Sequence, residues 1–493
     1  MATVITSRKA CTVNPLKMSQ PIGAVLAFLG LDACMPALHG SQGCTAFGLV
    51  LFVRHFRENI PLQTTAMNET TTILGGMDNI EEAILNIWKR AKPKIICIAS
   101  TGLTETKGDD VDGYLRLIRK KHPELADLAI VYVSTPDYKD AFQDGWARAV
   151  TRLVEQLVEA PSTPPSAKVG LPSTPRFEKV GPSLTPRFEE VGLPLTPPFE
   201  KGGLGGGSQI NILAGSHLTP ADIEEIRETV EAFGLDPIIL PDLSGSLDGH
   251  IPEEFMPTTM GGTTLEDIRR MGASRLTIAV GEHMRPAAQA LQDKAGVSFE
   301  VLERITGLAA CDRFIALLAE LSGKPVPNKY RRQRGQLVDA MLDGHFFFGG
   351  KKIAIGAEPD LLWAIGNLLA EMGCEISAAV TTTHSPLLES LPAEEVLIGD
   401  LEDLERLAQG CDLLITHSHG RQMAERLDIP FLRMGMPLFD RLGAAHRLSV
   451  GYRGTRDLVF EIGNLFMADA HEPGPDSWIP QKEESATPPA AAH

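Results

Sequence analysis

Outside one stretch, the apolar residues of this chain follow two alternating patterns. Short β-branched runs of strand length are followed by longer segments with apolar positions at helical spacing. Residues 93–100 (PKIICIAS) and 128–135 (LAIVYVST) are two such runs, each ending in turn residues. INILAGS then leads into TPADIEEIRETVEAFGL, where Thr219 suits an N-cap, Pro220 the first helical position and Gly234 the helix end. DPIILPD, RLTIAVGE, a helix around MRPAAQALQDKAG and VSFEVL continue the alternation. A further unit opens with GKKIAIGAEPD, runs through DLLWAIGNLLAEMG into CEISAAVTTT, and repeats in EEVLIGD, LEDLERLAQG and DLLITHSHG. Alternation of this kind predicts an α/β fold with mainly parallel sheets and helices on both faces, in three units.

The exception is 161–208. VGLPSTPRFEK, VGPSLTPRFEE and VGLPLTPPFEK follow one another, with Phe177, Phe188 and Phe199 in step, and the run ends in GGLGGG. Proline keeps such a segment out of helices and central strands, and glycine loosens it. Its repeat is too short for a solenoid unit. We read it as a Pro/Gly-rich insertion expected to be disordered, in preference to a docking strip built on the repeated Phe. The expected divisions are an α/β domain at 1–160, the insertion at 161–208, further α/β domains at 209–330 and 331–470, and a Pro/Ala-rich polar tail at 471–493.

Composition narrows the class. The chain has 493 residues, enough for about three domains, and a formal net charge of −17. No Lys/Arg block stands out, so a nucleic-acid partner is not expected. The first twenty residues lack an apolar signal core, and no apolar stretch is long enough to span a bilayer. Seven cysteines, odd in number and without a CxxC pair, are not a disulfide framework. A cytoplasmic protein with no membrane association is the expectation.

Parallel sheets bind ligands beyond the carboxyl ends of their strands, so the loops after Ser100, Gly215, Gly281, Gly356 and Ser418 are the places to search. Dinucleotide and P-loop fingerprints, HExxH and GxSxG are missing from them. His417 and His419 in THSHG have a spacing that can bind metal, but a loop pair bonded to backbone is the preferred reading. Cys97 lies in an apolar strand, and Cys374 and Cys411 sit where packing explains them. Cys44 differs. It stands in HGSQGCTAFG, among small residues, where Gly40 and Gly43 let backbone approach a bulky object. A thiolate in such a loop suits an iron–sulfur cluster, though the residues alone also fit a reactive or an inert thiol.

Longer blocks carry a resemblance. PLKMSQPIGAVLAFLGLDACMPALHGSQGCTAFG, RHFRENIPLQTTAMNETTTILGGMDNIEEAI, ASTGLTETKGDDVDGY, GGTTLEDIRRMGA, GHFFFGGKKIAIGAEPD and IPFLRMGMPLFDRLGAAHRLSVGYRGT together are similar to the nitrogenase component-1 superfamily. HGSQGC and GMPLFDR are the most specific. Within the superfamily the blocks look most like the β-type subunit of the scaffold that matures the iron–molybdenum cofactor. The resemblance implies three Rossmann-like domains and pairing with a NifE-like α-type subunit as an α2β2 heterotetramer. It also implies transient docking of the nitrogenase iron protein NifH and transient holding of an iron–molybdenum cofactor precursor by the complex.

The alternative is the β subunit of a two-component reductase, either molybdenum–iron nitrogenase or dark-operative protochlorophyllide reductase. The nitrogenase β subunit gives three thiolates to its P-cluster, one of them at the position of Cys44. Here Ser19 replaces the first of the three, and Gly102 or Leu103 the last. A cubane cluster usually needs four thiolates. The resemblance therefore implies a [4Fe-4S] cluster shared with the partner, with Cys44 as this chain's metal ligand. It favours a non-catalytic assembly scaffold over a complete enzyme.

Overall fold

A computed structural model describes residues 1–9, 14–160, 207–251 and 254–469. The repeat insertion up to Gly206, Cys11 and the polar tail lie outside the described residues.

The described strands form three sheets, and every pairing in them is parallel. The N-terminal sheet has the order Gln63–Thr64, Cys34–His39, Ile95–Ser100, Ala129–Val133. The middle sheet runs Asp236–Leu240, Gln209–Leu213, Thr277–Val280, Phe299–Leu302. The C-terminal sheet runs Thr3–Thr6, Glu395–Ile398, Glu375–Thr381, Lys352–Gly356, Leu413–Thr416, Phe431–Arg433. Apart from the edge strand Thr3–Thr6, in each sheet the chain starts near the middle, winds outward on one side and then crosses to the other. The strand order therefore reverses between Cys34–His39 and Ile95–Ser100, between Gln209–Leu213 and Thr277–Val280, and between Lys352–Gly356 and Leu413–Thr416. Crevices for ligands open beyond the strand ends at such reversals.

Local signals explain many boundaries. The helix Pro220–Ala232 starts where Thr219 accepts a hydrogen bond from the Asp222 N–H, and Gly234 behind it takes a positive φ of 73°. Four strands escaped the sequence reading: Thr3–Thr6, Cys34–His39, Gln63–Thr64 and Phe431–Arg433. Thr3–Thr6 is short and mostly exposed, and it joins the C-terminal sheet beside Glu395–Ile398. Cys34–His39 carries Pro36 in its interior, where a ladder N–H is missing. The neighbouring Gln63–Thr64 pairs only with Ala37 and Leu38, so Pro36 faces no partner on that side.

A large apolar core runs continuously through the N-terminal and middle sheets. All ten residues of the helix Gln20–Leu29 are buried in it. This helix presses on the helix Phe142–Leu157 through glycine: a Cβ at Gly23 would stand 1.9 Å from the Phe142 carbonyl oxygen, and one at Gly145 would stand 2.0 Å from the Gln20 carbonyl oxygen. Trp146, fully buried, donates from Nε1 to the Ala214 carbonyl at 2.9 Å and so ties the same helix to the middle sheet. Burying a side chain of that size is worth about 3 kcal/mol. Among the described residues no helix is long and apolar enough to cross a membrane.

Candidate metal centres at the strand ends

Cys44 does not lie in a loop, as the glycines around it suggest, but in the first turn of the helix Gln42–Phe56. The turn is confined to His39–Ser41. There Gly40 leaves no room for a side chain, because a Cβ would meet Thr101 Oγ1 at 2.4 Å. Ser41 is the N-cap, extended at φ −74° and ψ 159°, and makes no side-chain cap hydrogen bond. The first N–H groups of a helix have no intrahelical acceptor and point outward, toward negative charge. The Ser41 Oγ lies 3.6 Å from Cys44 Sγ. Beyond Gly43 the space is open, with Ser41 Oγ the nearest atom to a Cβ there at 3.9 Å.

Cys44 is half-buried, whereas Cys34, Cys97, Cys311, Cys374 and Cys411 are buried. Burial pushes the Cys97 and Cys311 thiols well up, Cys374 up to about 12 and Cys411 up to about 11. Thiols held protonated in this way are poor ligands. Cys44 thus fits as one corner of a cluster, and the remaining donors would have to come from elsewhere. Among the described residues the one grouping of three or more His, Cys, Asp or Glu donors lies in a different place.

Neighbouring loops hold the turn before Cys44. Buried His39 ends its strand and bonds Thr65 Oγ1 through Nδ1 at 2.9 Å and Asp109 Oδ2 through Nε2 at 3.3 Å. Its carbonyl accepts from the hydroxyls of Thr101 and Thr104 at 3.0 and 3.2 Å. Burial works against the charge of Asp109, but Lys107 and His39 outweigh it and hold the carboxyl below its usual range. The segment LTETKGDD therefore acts as a brace for the HGSQGC turn.

The positions of Ser19 and Gly102 gather at the same edge of the N-terminal sheet. Gly102 opens the helix Gly102–Lys107 beside Asp137, and Ser19 caps the helix whose Gln20 donates to the Pro136 and Lys139 carbonyls at 2.9 and 2.7 Å. Neither position offers a thiol. Large apolar side chains are exposed on nearby elements: Phe47 at 61%, Ile73 at 79% and Leu74 at 81%, with Val50, Val53 and Leu103.

The GMPLFDR segment spans from the far end of the Cys44 helix to the C-terminal sheet. The Leu438 N–H donates to His55 Nδ1 at 2.8 Å, and the Arg57 guanidinium donates to the Phe439 carbonyl at 3.0 Å. On the other side, the Ser418 N–H donates to the Pro437 carbonyl at 3.0 Å. In THSHG, His417 bonds the Leu16 carbonyl through Nε2 at 3.1 Å and accepts the His419 N–H at its Nδ1. Both nitrogens are used by backbone, which leaves none for a metal.

A second group of donors was not legible in the sequence. His217, His283 and Asp360 follow the strands Gln209–Leu213, Thr277–Val280 and Lys352–Gly356, and their ligand atoms all lie within 4.8 Å of one another. They stand at the facing order reversals of the middle and C-terminal sheets. Asp360 is 77 residues beyond His283, so no local spacing links them. The loops themselves were the right places to look; the partnership between them depends on how two sheets face each other.

The comparisons bear on the whole chain. The family described as nitrogenase component 1 type oxidoreductase matches residues 19–467. The nitrogenase iron-molybdenum cofactor biosynthesis protein NifN of Bradyrhizobium diazoefficiens is 56% identical over 97% of this chain and 95% of its own length. The NifN protein of a Nostoc species is 50% identical over 96% of this chain and 97% of its own. The solved structure of nitrogenase Cp1 at pH 6.5 superposes with a TM-score of 0.82 at 31% identity, covering 94% of this chain and 95% of that one. With the family matched over most of the chain and relatives at half identity along nearly its full length, this chain belongs to the nitrogenase component 1 type oxidoreductase family.

Proposed function

We propose that this chain is the β-type subunit of a scaffold on which the iron–molybdenum cofactor precursor of nitrogenase matures. In this reading Cys44 supplies one thiolate to a [4Fe-4S] cluster, and a NifE-like α-type subunit supplies the rest in an α2β2 complex. The observation that carries the scaffold role is the near-complete coverage, at about half identity, by proteins named for iron–molybdenum cofactor biosynthesis. The cluster role is supported by a half-buried thiol at a helix N-terminus, flanked by exposed Phe47, Val50 and Val53. Exposed apolar side chains around an incomplete ligand set suit a surface that a partner covers.

When bound, such a cluster stores and passes single electrons. This chain's own contribution is positional. His39, Thr101 and Asp109 hold the turn, the first turn of the helix carries Cys44 half-buried at its N-terminal end, and the N–H groups of that turn would offset thiolate charge. Ligand completion by two chains couples metal binding to association. The iron protein NifH is the transient partner that this role implies, and the precursor is held by the assembled complex.

The rival reading is a β subunit of a two-component reductase. Ser19, and Gly102 or Leu103, stand against its nitrogenase form, because none of them can supply the thiolates expected at those positions. Co-expression with an α-type partner tests the two. The scaffold reading expects a brown α2β2 complex with an iron–sulfur EPR signal and no dinitrogen reduction when the iron protein and a reductant are added. A colourless complex would overturn the cluster assignment, and substrate reduction by the complex would overturn the scaffold role.

A further inference from the structure

We propose that His217 and Asp360, oriented by His283, form a site for one late first-row divalent cation, apart from the Cys44 centre. The site lies where the middle and C-terminal sheets face each other, and it takes one donor from each.

Two buried polar atoms carry the argument. His217 Nδ1 and Asp360 Oδ1 have no hydrogen-bond partner in the protein. Buried polar atoms are nearly always paired, so two unpaired ones in one cluster call for a bound species. The tautomer of His283 says which kind. Its Nε2 accepts the Ser216 N–H at 3.0 Å, which leaves the ring proton on Nδ1, facing Asp360 Oδ2. The His283 N–H also donates to Asp360 Oδ2 at 3.1 Å. His283 thus occupies Asp360 Oδ2 and leaves the buried Oδ1 as the free face of the carboxyl. A buried polar atom is costly unless it is hydrogen-bonded or coordinates a metal. A bound cation would occupy both unpaired atoms.

The surroundings are shaped for this. Gly215 and Gly281 end their strands without side chains, and a Cβ at Gly281 would meet Asp360 Oδ2 at 2.7 Å and both His217 Cε1 and His283 Cε1 at 3.0 Å. Asp360 is fixed by His283 on one oxygen, which is how outer-shell groups aim a carboxylate ligand. One imidazole nitrogen and one carboxylate oxygen suit zinc, cobalt or ferrous iron better than magnesium or calcium. His217 also lines a cavity of ≈ 80 Å³, roomy enough for water beside that ring. With two protein donors the ion would be exchangeable and removable by chelator.

The test uses zinc on the purified full-length chain in its co-expressed complex, stripped with chelator and re-equilibrated. Zinc content is compared with a melting curve, since an ion joining two sheets raises the melting temperature by mass action. The expected result is about one chelatable zinc per chain and a higher melting temperature, both lost in His217→Gln and in Asp360→Asn. Both should persist in Cys44→Ala, which separates this site from the cluster. Failure of zinc to bind or to shift melting in the parent complex would mean that water alone fills the position. Equal zinc in the parent and in His217→Gln would also overturn the proposal. His217 is partly exposed, so that variant tests the site even where Asp360→Asn does not fold.

Discussion

His417 shows how one buried side chain links structure to pH. Burial lowers its pKa to about 4, against an ordinary 6.5. The folded chain therefore refuses a proton that the unfolded chain takes up as pH falls below 6.5. This contribution to stability is complete above 6.5 and is lost as pH falls through about 4. We expect the melting temperature to decline over that range, and His417→Gln to show a shallower decline, by about one proton's share of the slope. An unchanged slope in the variant would contradict the assignment. At this scale the sequence was partly legible. Cys44 stood out because it is flanked by small residues, whereas Cys97 sits in an apolar run, and their exposures differ in the same sense. His217, His283 and Asp360 gave no such sign, because each belongs to a separate strand end and only the meeting of two sheets joins them.

Among the elements, the crossing of Gln20–Leu29 with Phe142–Leu157 is the tightest test of the fold. Gly23→Ala would force a methyl group against the Phe142 carbonyl oxygen and should cost about 1–3 kcal/mol or more in denaturant unfolding. Gly335→Ala is the contrast. It lies exposed in the helix Asn328–Phe348 with nothing within 4 Å of a Cβ, so it should gain up to about 1 kcal/mol. Equal effects would show that the close approach is not real. The exposed face of the Cys44 helix gives a different expectation: Phe47→Asp should leave melting of the isolated chain unchanged and weaken co-purification with the α-type partner. Helices with strong ends, such as Pro220–Ala232, were readable because Thr219 and Gly234 mark both limits. Cys34–His39 was not readable, because Pro36 argues against a strand until the missing neighbour beside it is known.

For the whole molecule, alternation of strand and helix foretold parallel sheets, since parallel strands need crossover helices. It could not foretell that Thr3–Thr6 returns to the C-terminal sheet, because four mostly exposed residues carry almost no pattern. The assembly expected for this family member rests on a ligand set split between two chains, and that is where the account is most exposed. The most direct test is iron counting with EPR on the co-expressed complex carrying Cys44→Ala. The account predicts a folded chain with an unchanged far-ultraviolet spectrum that has lost the cluster signal and about four iron atoms per αβ pair. A variant complex that keeps its full iron content and its signal would contradict it.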